Sequence, residues 1–146
     1  MYGAFGPCQN YRLVSLDVND GTTVYDKPIK VPSILGISNV VYNSQYVYFG
    51  YKGSKAVEDS TIGSGGISAY TVEAGEPVWT YTISGASLVR SIVASDSYLA
   101  VDGGTDKYYL LNASTGNVIK TLEKKFEPGT PIGPSVNFAF WYDYIL

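Results

Sequence analysis

The sequence contains no histidine and one cysteine, Cys8, among its 146 residues. Without histidine, the chain by itself cannot build a Ser–His–Asp or Cys–His catalytic centre, and it cannot bind zinc or haem through imidazole. A single cysteine cannot form a disulfide within the chain, so cysteine usage does not indicate a compartment. We interpret Cys8 as a passive thiol, because no obvious base accompanies it.

Charged residues are also scarce, at 16% of the chain, and the formal net charge is −3. Phosphate binding needs a concentrated basic surface, so nucleic acid is not an expected partner. The lysines that do cluster, Lys120, Lys124 and Lys125, are interpreted as a solvated edge. No apolar run reaches the roughly 20 residues of a membrane helix, so no transmembrane segment is predicted. Residues 1–8 have neither the basic nor the apolar part of a signal peptide.

The residues that are abundant are typical of a β-protein. Fourteen tyrosines, 16 glycines and 7 prolines favour strands and turns. Hydrophobic residues make up 45% of the chain, which is enough for a globular core. No helical periodicity of useful length occurs, since the one short candidate ends at Pro128. The predicted fold class is therefore all-β.

A short motif occurs three times without gaps. It has a small polar residue, a glycine four positions later, and a β-branched residue three positions after the glycine. We expect a hairpin in which the polar side chain bonds to the turn backbone and the glycine adopts a positive φ. The three sets are Asp17, Gly21 and Val24, then Thr71, Gly75 and Val78, then Asn112, Gly116 and Ile119.

A second hairpin type alternates with the first, at residues 40–49, 92–101 and 138–146. The motif glycines are 54 and then 41 residues apart, which is the period of a four-stranded propeller blade. The predicted architecture is one domain, 1–146, made of antiparallel four-stranded blades of a partial β-propeller. It comprises half-blade 1–31, blade 32–84 with a loop insertion at 51–66, blade 85–127 and half-blade 128–146.

Residues 69–79 resemble the tryptophan-docking repeat of PQQ-like β-propellers, whose pattern is Ala-x-Asp-x-x-x-Gly-x-x-x-Trp. Ala69, Gly75 and Trp79 match this pattern, and Thr71 replaces its aspartate. In that family the final aromatic residue docks one blade onto the next. The resemblance therefore assigns blade docking to Trp79.

The other two copies of the motif depart further from the family pattern. The first keeps its aspartate and Gly21 but has Tyr25 in place of tryptophan. The third keeps Gly116 but ends at Lys120. The resemblance thus implies a docking role for Tyr25 and leaves Lys120 without one.

Other all-β folds explain the sequence less well. A WD40 propeller lacks its Gly-His and Trp-Asp signatures here, and an antiparallel sandwich would not produce the matched hairpin spacing. Closed propellers carry about 4–8 blades, more than two full blades and two halves. We therefore expect a fragment completed by the remaining blades of a longer chain, or a homo-oligomer whose copies close one ring.

The insertion at 51–66 is the main candidate for binding, because long loops carry function more often than repeated scaffolding does. It holds Lys52, Lys55, Glu58 and Asp59, which suit polar recognition of a partner or ligand. A surface loop without function is the alternative. Arg90 precedes an inner strand, so we expect it at the central channel or in a surface or inter-blade ion pair.

Other motif-like segments carry no chemistry. Residues 17–28 resemble a calcium loop, but Gly21 and Pro28 stand at its fifth and twelfth positions, where ligands are needed. Acidic pairs such as Asp102 with Asp106 fall in loops or turns and are interpreted as solvated. No catalytic residue, metal site or cofactor is predicted.

These features favour a non-enzymatic scaffold that binds protein partners or displays a surface, in an extracellular, cell-surface or periplasmic setting. Tyrosine suits interfaces because it is amphipathic and fairly rigid. The family resemblance implies one alternative, a fragment of a PQQ-dependent dehydrogenase with calcium at the propeller axis. A second alternative is a carbohydrate-binding propeller that uses its tyrosines and tryptophans.

Overall fold

The computed structural model describes residues 11–31, 34–53, 64–86, 88–124, 140–141 and 144–145. Within these ranges the chain forms strands and no helix, and all paired strands are antiparallel. The predicted all-β class is therefore confirmed for the described part of the chain. The half-blade predicted at 128–146 is described only at residues 140–141 and 144–145.

Most strands belong to two four-stranded sheets in which neighbours in the chain are neighbours in space. Sheet I consists of β3 (Ile34–Tyr42), β4 (Tyr46–Gly53), β5 (Ser64–Thr71) and β6 (Pro77–Ser84). Sheet II consists of β7 (Ser91–Ala94), β8 (Tyr98–Asp102), β9 (Lys107–Asn112) and β10 (Val118–Glu123). Two further pairs are formed by β1 (Arg12–Leu16) with β2 (Thr23–Pro28), and by β11 (Phe140–Trp141) with β12 (Tyr144–Ile145).

The three motif turns have the same backbone hydrogen bonds. In each turn the glycine amide donates to the carbonyl four residues earlier, over 2.8 Å at Gly21, 3.0 Å at Gly75 and 2.9 Å at Gly116. The φ angles of these glycines are 74°, 64° and 71°, in the left-handed region that side chains disfavour. The positive φ that the motif predicts is thus observed in all three copies.

The loop predicted at 51–66 is shorter than expected, because both of its ends are paired strand. Tyr51 lies opposite Gly66 and Lys52 lies opposite Gly65 in the β4–β5 ladder. Tyr51 is 4% exposed, and a Cβ on Gly66 would collide with its hydroxyl group. Gly66 therefore makes room for the buried Tyr51 side chain, and both glycines are strand residues.

Sheets I and II pack against each other through one hydrophobic core. Sheet I contributes Tyr48 and Ile67, among others, and sheet II contributes Leu99 and Leu111; all four are fully buried. The edge strands β3 and β7 of the two sheets are in contact. The Asn39 side-chain amide bridges them by donating to the Ile92 carbonyl over 3.0 Å. The two sheets therefore form one packed unit.

Candidate functional site

The structure describes two of the polar residues that the sequence predicts for binding, Lys52 and Arg90. Lys52 lies on β4 with an exposed side chain, whereas Lys55, Glu58 and Asp59 lie outside the described residues. Arg90 immediately precedes β7, and its amide donates to the Asp102 carbonyl over 2.9 Å. Its side chain is exposed, and no ion pair within the described ranges includes it. The binding loop therefore stays a prediction.

Two motif aromatics each lie against the glycine of the next motif. A Cβ built on Gly75 would be 2.6 Å from Cε2 of Tyr25, and one on Gly116 would be 2.5 Å from Cε3 of Trp79. Trp79 also donates from Nε1 to the Ala113 carbonyl over 3.0 Å. Because real Cβ atoms do not approach so closely, the absence of a side chain at these glycines is what admits the rings.

A second side chain from sheet I reaches the same carbonyl. The Tyr48 hydroxyl donates to the Ala113 carbonyl over 3.2 Å, and it accepts a bond from Asn43 Nδ2 over 2.9 Å. The Tyr48 and Trp79 rings are 6.0 Å apart. Burial raises the pKa of Tyr48 to about 12, against a partial opposing effect from the Asn43 hydrogen bond. Tyr48 and Trp79 together fix the β9–β10 turn of sheet II against sheet I.

A buried ion pair lies at the opposite end of the sheet II strands from the β9–β10 turn. Lys124 Nζ is 2.6 Å from Asp102 Oδ1, and the two side chains are 7% and 2% exposed. The ammonium group also donates to the Thr105 carbonyl over 2.7 Å and lies 4.7 Å from the Tyr108 ring centre. The Gly104 amide donates to the same carboxylate oxygen over 2.9 Å.

The interpretation of Asp102 and Lys124 as solvated charges is therefore wrong. Lys124 follows the edge strand β10, and Asp102 ends β8, so the chain separates them by the whole of β9 and β10. They meet because antiparallel pairing brings the end of β8, the start of β9 and the end of β10 to the same end of the sheet. No spacing in the sequence signals it.

A cavity of about 530 Å³ lies between the end of β6 and the start of β9. Tyr81 and Tyr109 line it from the two sheets, with ring centres 6.3 Å apart and ring planes at 61°. Burial raises the pKa of Tyr81, with a smaller contribution from Tyr109. Thr82, Ser84 and Asp106 also line the cavity. Sequence reasoning missed this cavity because it exists only where the two sheets meet.

Two searches of the described ranges, for metal-binding clusters and for membrane-spanning helices, gave no candidate. No group of three or more His, Cys, Asp or Glu side chains there could hold a metal ion. No helix there is long and apolar enough to cross a membrane. A scan against protein-family models gives no match, and a search of curated proteins gives no significant match. Function must therefore be inferred from the contacts themselves.

Proposed function

We propose that this chain is a PQQ-like β-propeller repeat protein that acts as a non-enzymatic scaffold for protein partners, with sheets I and II as consecutive blades. The repeated aromatic-on-glycine contact carries this proposal. Tyr25 lies on Gly75 and Trp79 lies on Gly116, and both aromatics occupy the same position in their motif. A single rotation that relates successive blades would place equivalent residues in equivalent contacts. A sandwich of two unrelated sheets gives no reason for such a repeat.

The order of the strands supports the same arrangement. Each four-stranded sheet follows chain order, as propeller blades do from their inner to their outer strand. The contact between β3 and β7 is then the contact between inner strands of adjacent blades. In this proposal β1–β2 is the outer half of one blade and β11–β12 is the inner half of another.

Completion of the ring is part of the proposal. The described residues form two four-stranded sheets and two strand pairs, whereas a closed propeller has about 4–8 blades. Further blades would come from additional sequence or from another copy of the chain. Both sources require the partner to pack against sheets of the kind described here, as sheet II packs against sheet I.

The outermost strand of sheet II supports a role in partner binding. All six residues of β10 are exposed, and Val118, Ile119 and Leu122 are 40%, 50% and 49% exposed. Within the described residues β10 pairs with β9 alone, so it presents one free sheet edge. Exposed edges accept an added strand from a partner, while neighbouring charges such as Lys120 limit unspecific pairing. We propose an extracellular, cell-surface or periplasmic setting for this scaffold, on the basis of composition.

Light scattering after size-exclusion chromatography tests the scaffold proposal, with the chain alone and with candidate partners. We expect self-association or a defined complex that Leu122→Glu weakens, because a buried charge would oppose association through β10. Val18→Glu is the matched control, since Val18 is 97% exposed in a turn and distant in sequence from β10. A strictly monomeric chain that binds no partner would contradict the proposal.

A separate titration addresses the dehydrogenase alternative. PQQ and calcium are added to the chain, and the quinone absorbance and the melting temperature are followed. We expect neither to change for a non-enzymatic scaffold. A saturable shift in either signal would contradict the proposal and favour a dehydrogenase fragment.

A further inference from the structure

We propose that the cavity between sheets I and II, at the end of β6 and the start of β9, is a binding site for a neutral saccharide. The proposal does not depend on the scaffold function, because none of the described residues that line the cavity belongs to β10. It follows from the size of the cavity, the groups that line it and the charges that it lacks.

The size and the aromatic walls of the cavity suit a sugar ring. Its volume of about 530 Å³ lies within the range of small-molecule sites, about 300–1,000 Å³. Tyr81 from sheet I and Tyr109 from sheet II line it with rings tilted at 61° to each other. The C–H faces of a pyranose pack favourably on the electron-rich face of an aromatic ring. These two rings pack edge to face on each other, so a sugar ring would contact the ring faces that this packing leaves open.

Several polar groups at the cavity have no hydrogen-bond partner within the described residues. They are the Asp106 carboxylate, the Ser84 hydroxyl and the phenol hydroxyls of Tyr81 and Tyr109. A carboxylate accepts two hydrogen bonds side by side, which matches a pair of adjacent sugar hydroxyls. Hydroxyl groups both donate and accept, so they suit a ligand whose own groups do the same.

The charges at the cavity argue against other ligand classes. Lys107 is the only cation among its described lining residues, and its ammonium group lies 3.4 Å from the Glu123 carboxylate. An anionic ligand such as a phosphate would therefore meet Asp106 without an unpaired positive charge to balance it. The same lining contains no aliphatic side chain for an apolar ligand and no cluster of acids for a divalent cation.

Isothermal titration of the 146-residue chain tests this site, with maltotriose, cellotriose and mannotriose as probes and glucose 6-phosphate as the anionic comparison. We expect saturable binding of at least one neutral trisaccharide and weaker or no binding of the phosphorylated sugar. Failure of all three trisaccharides to bind, or tighter binding of the phosphorylated sugar, would overturn the proposal. Neither result would alter the partner-binding proposal for β10.

Substitutions locate the binding to the cavity. Asp106→Asn keeps the size of an exposed side chain and should weaken binding by about ten-fold or more, because a hydrogen bond to a charged group is lost. Tyr109→Ala should abolish binding, whereas Tyr109→Phe keeps the ring and should weaken it only a few-fold. Glu73→Gln and Tyr42→Ala are the matched controls, since both residues are exposed and neither lines the cavity. Undiminished binding by Asp106→Asn and Tyr109→Ala would place the sugar elsewhere and overturn the proposal.

Discussion

Gly21 and Gly116 hold the same position in their motifs and have nearly equal φ angles, 74° and 71°, but different surroundings. A Cβ on Gly21 would meet nothing within 4 Å, while one on Gly116 would press into the Trp79 ring. Gly21→Ala should therefore cost only the left-handed backbone penalty, about 1 kcal/mol. Gly116→Ala should cost about 3 kcal/mol, because the indole must also move.

Urea unfolding followed by circular dichroism measures both losses. Tryptophan fluorescence in a Trp141→Phe background provides a second check, since only Gly116→Ala should shift the emission of Trp79. Equal destabilisation by the two substitutions would show that the ring contact does not stabilise the fold.

Ionisation of the buried Tyr48 hydroxyl should lower the stability of the fold at alkaline pH. Burial raises the pKa of Tyr48 to about 12 from an ordinary value of 10.0, so folding favours the neutral phenol. That stability is fully present below pH 10 and is lost as the pH rises through 12, to a total of about 2–3 kcal/mol. Tyr48→Phe should lose less stability over this interval, although it starts lower because its hydrogen bonds are missing.

Urea unfolding at several pH values between 10 and 12 measures this difference. Some alkaline loss should remain in Tyr48→Phe, because burial also raises the pKa of Tyr70 and of Tyr81. Tyr42→Phe is the control, since Tyr42 is 75% exposed and should follow the unsubstituted chain. Parallel curves for Tyr48→Phe and the unsubstituted chain would contradict the assignment.

At the residue scale, the motif predicts where the turns lie, but it does not predict every side chain that contacts a turn. The conformations of Gly75 and Gly116 follow from the spacing alone, because a tight hairpin needs a positive φ at a fixed place. The convergence of Tyr48 and Trp79 on the Ala113 carbonyl depends on strands from two sheets. The motif resemblance assigns docking to Trp79, but no local pattern encodes the bond from Tyr48 to the same carbonyl.

The buried ion pair belongs to the scale of strands, because it ties the end of β10 to the end of β8. Asp102→Asn and Lys124→Met should each destabilise the chain by about 3–5 kcal/mol, since each leaves an uncompensated buried charge. The double variant should be less destabilised than the sum of the two, because it leaves no lone charge. Lys107→Met, which breaks an exposed pair with Glu123 in the same sheet, should cost about 1 kcal/mol or less.

A double-mutant cycle by urea unfolding checks the pair, with circular dichroism to confirm that each variant folds. Strictly additive losses would show that Asp102 and Lys124 act independently. Similar losses for Lys107→Met and Lys124→Met would show that burial does not matter here.

At the same scale, the 51–66 segment shows why glycine content misleads. Gly65 and Gly66 indicate a flexible loop when only the sequence is considered. In the ladder they are strand residues: Gly66 lies beneath the Tyr51 hydroxyl, and a Cβ on Gly65 would be 3.0 Å from the Tyr51 carbonyl. A close approach of backbone and side chain also selects glycine, and it becomes visible only once the strands are paired.

At the scale of the whole molecule, the parts of the chain differ in how they are held together. Sheets I and II share one core of buried side chains, and no residue of β1 or β2 belongs to that cluster. The β1–β2 hairpin is linked to sheet I by Tyr25 on Gly75, by an exposed Lys27–Glu76 pair at 2.9 Å, and by a bond from the Lys30 amide to a buried tyrosine. Exposed ion pairs stabilise little, so the hairpin should open before the sheets do.

Hydrogen exchange under native conditions should therefore separate the chain into two levels of protection. The amides of β1 and β2 should exchange first, and those of β4, β5, β8 and β9 should exchange last and together, because unfolding either sheet exposes the shared core. Tyr25→Ala should raise exchange in β1 and β2 only, whereas Trp79→Ala should raise it in both sheets. If β1 and β2 were protected as strongly as β8, or if Tyr25→Ala also exposed sheet II, the hairpin would belong to the same cooperative unit. Either result would mean that the contact of Tyr25 with Gly75 couples the hairpin to sheet I as strongly as the shared core couples sheet II to sheet I.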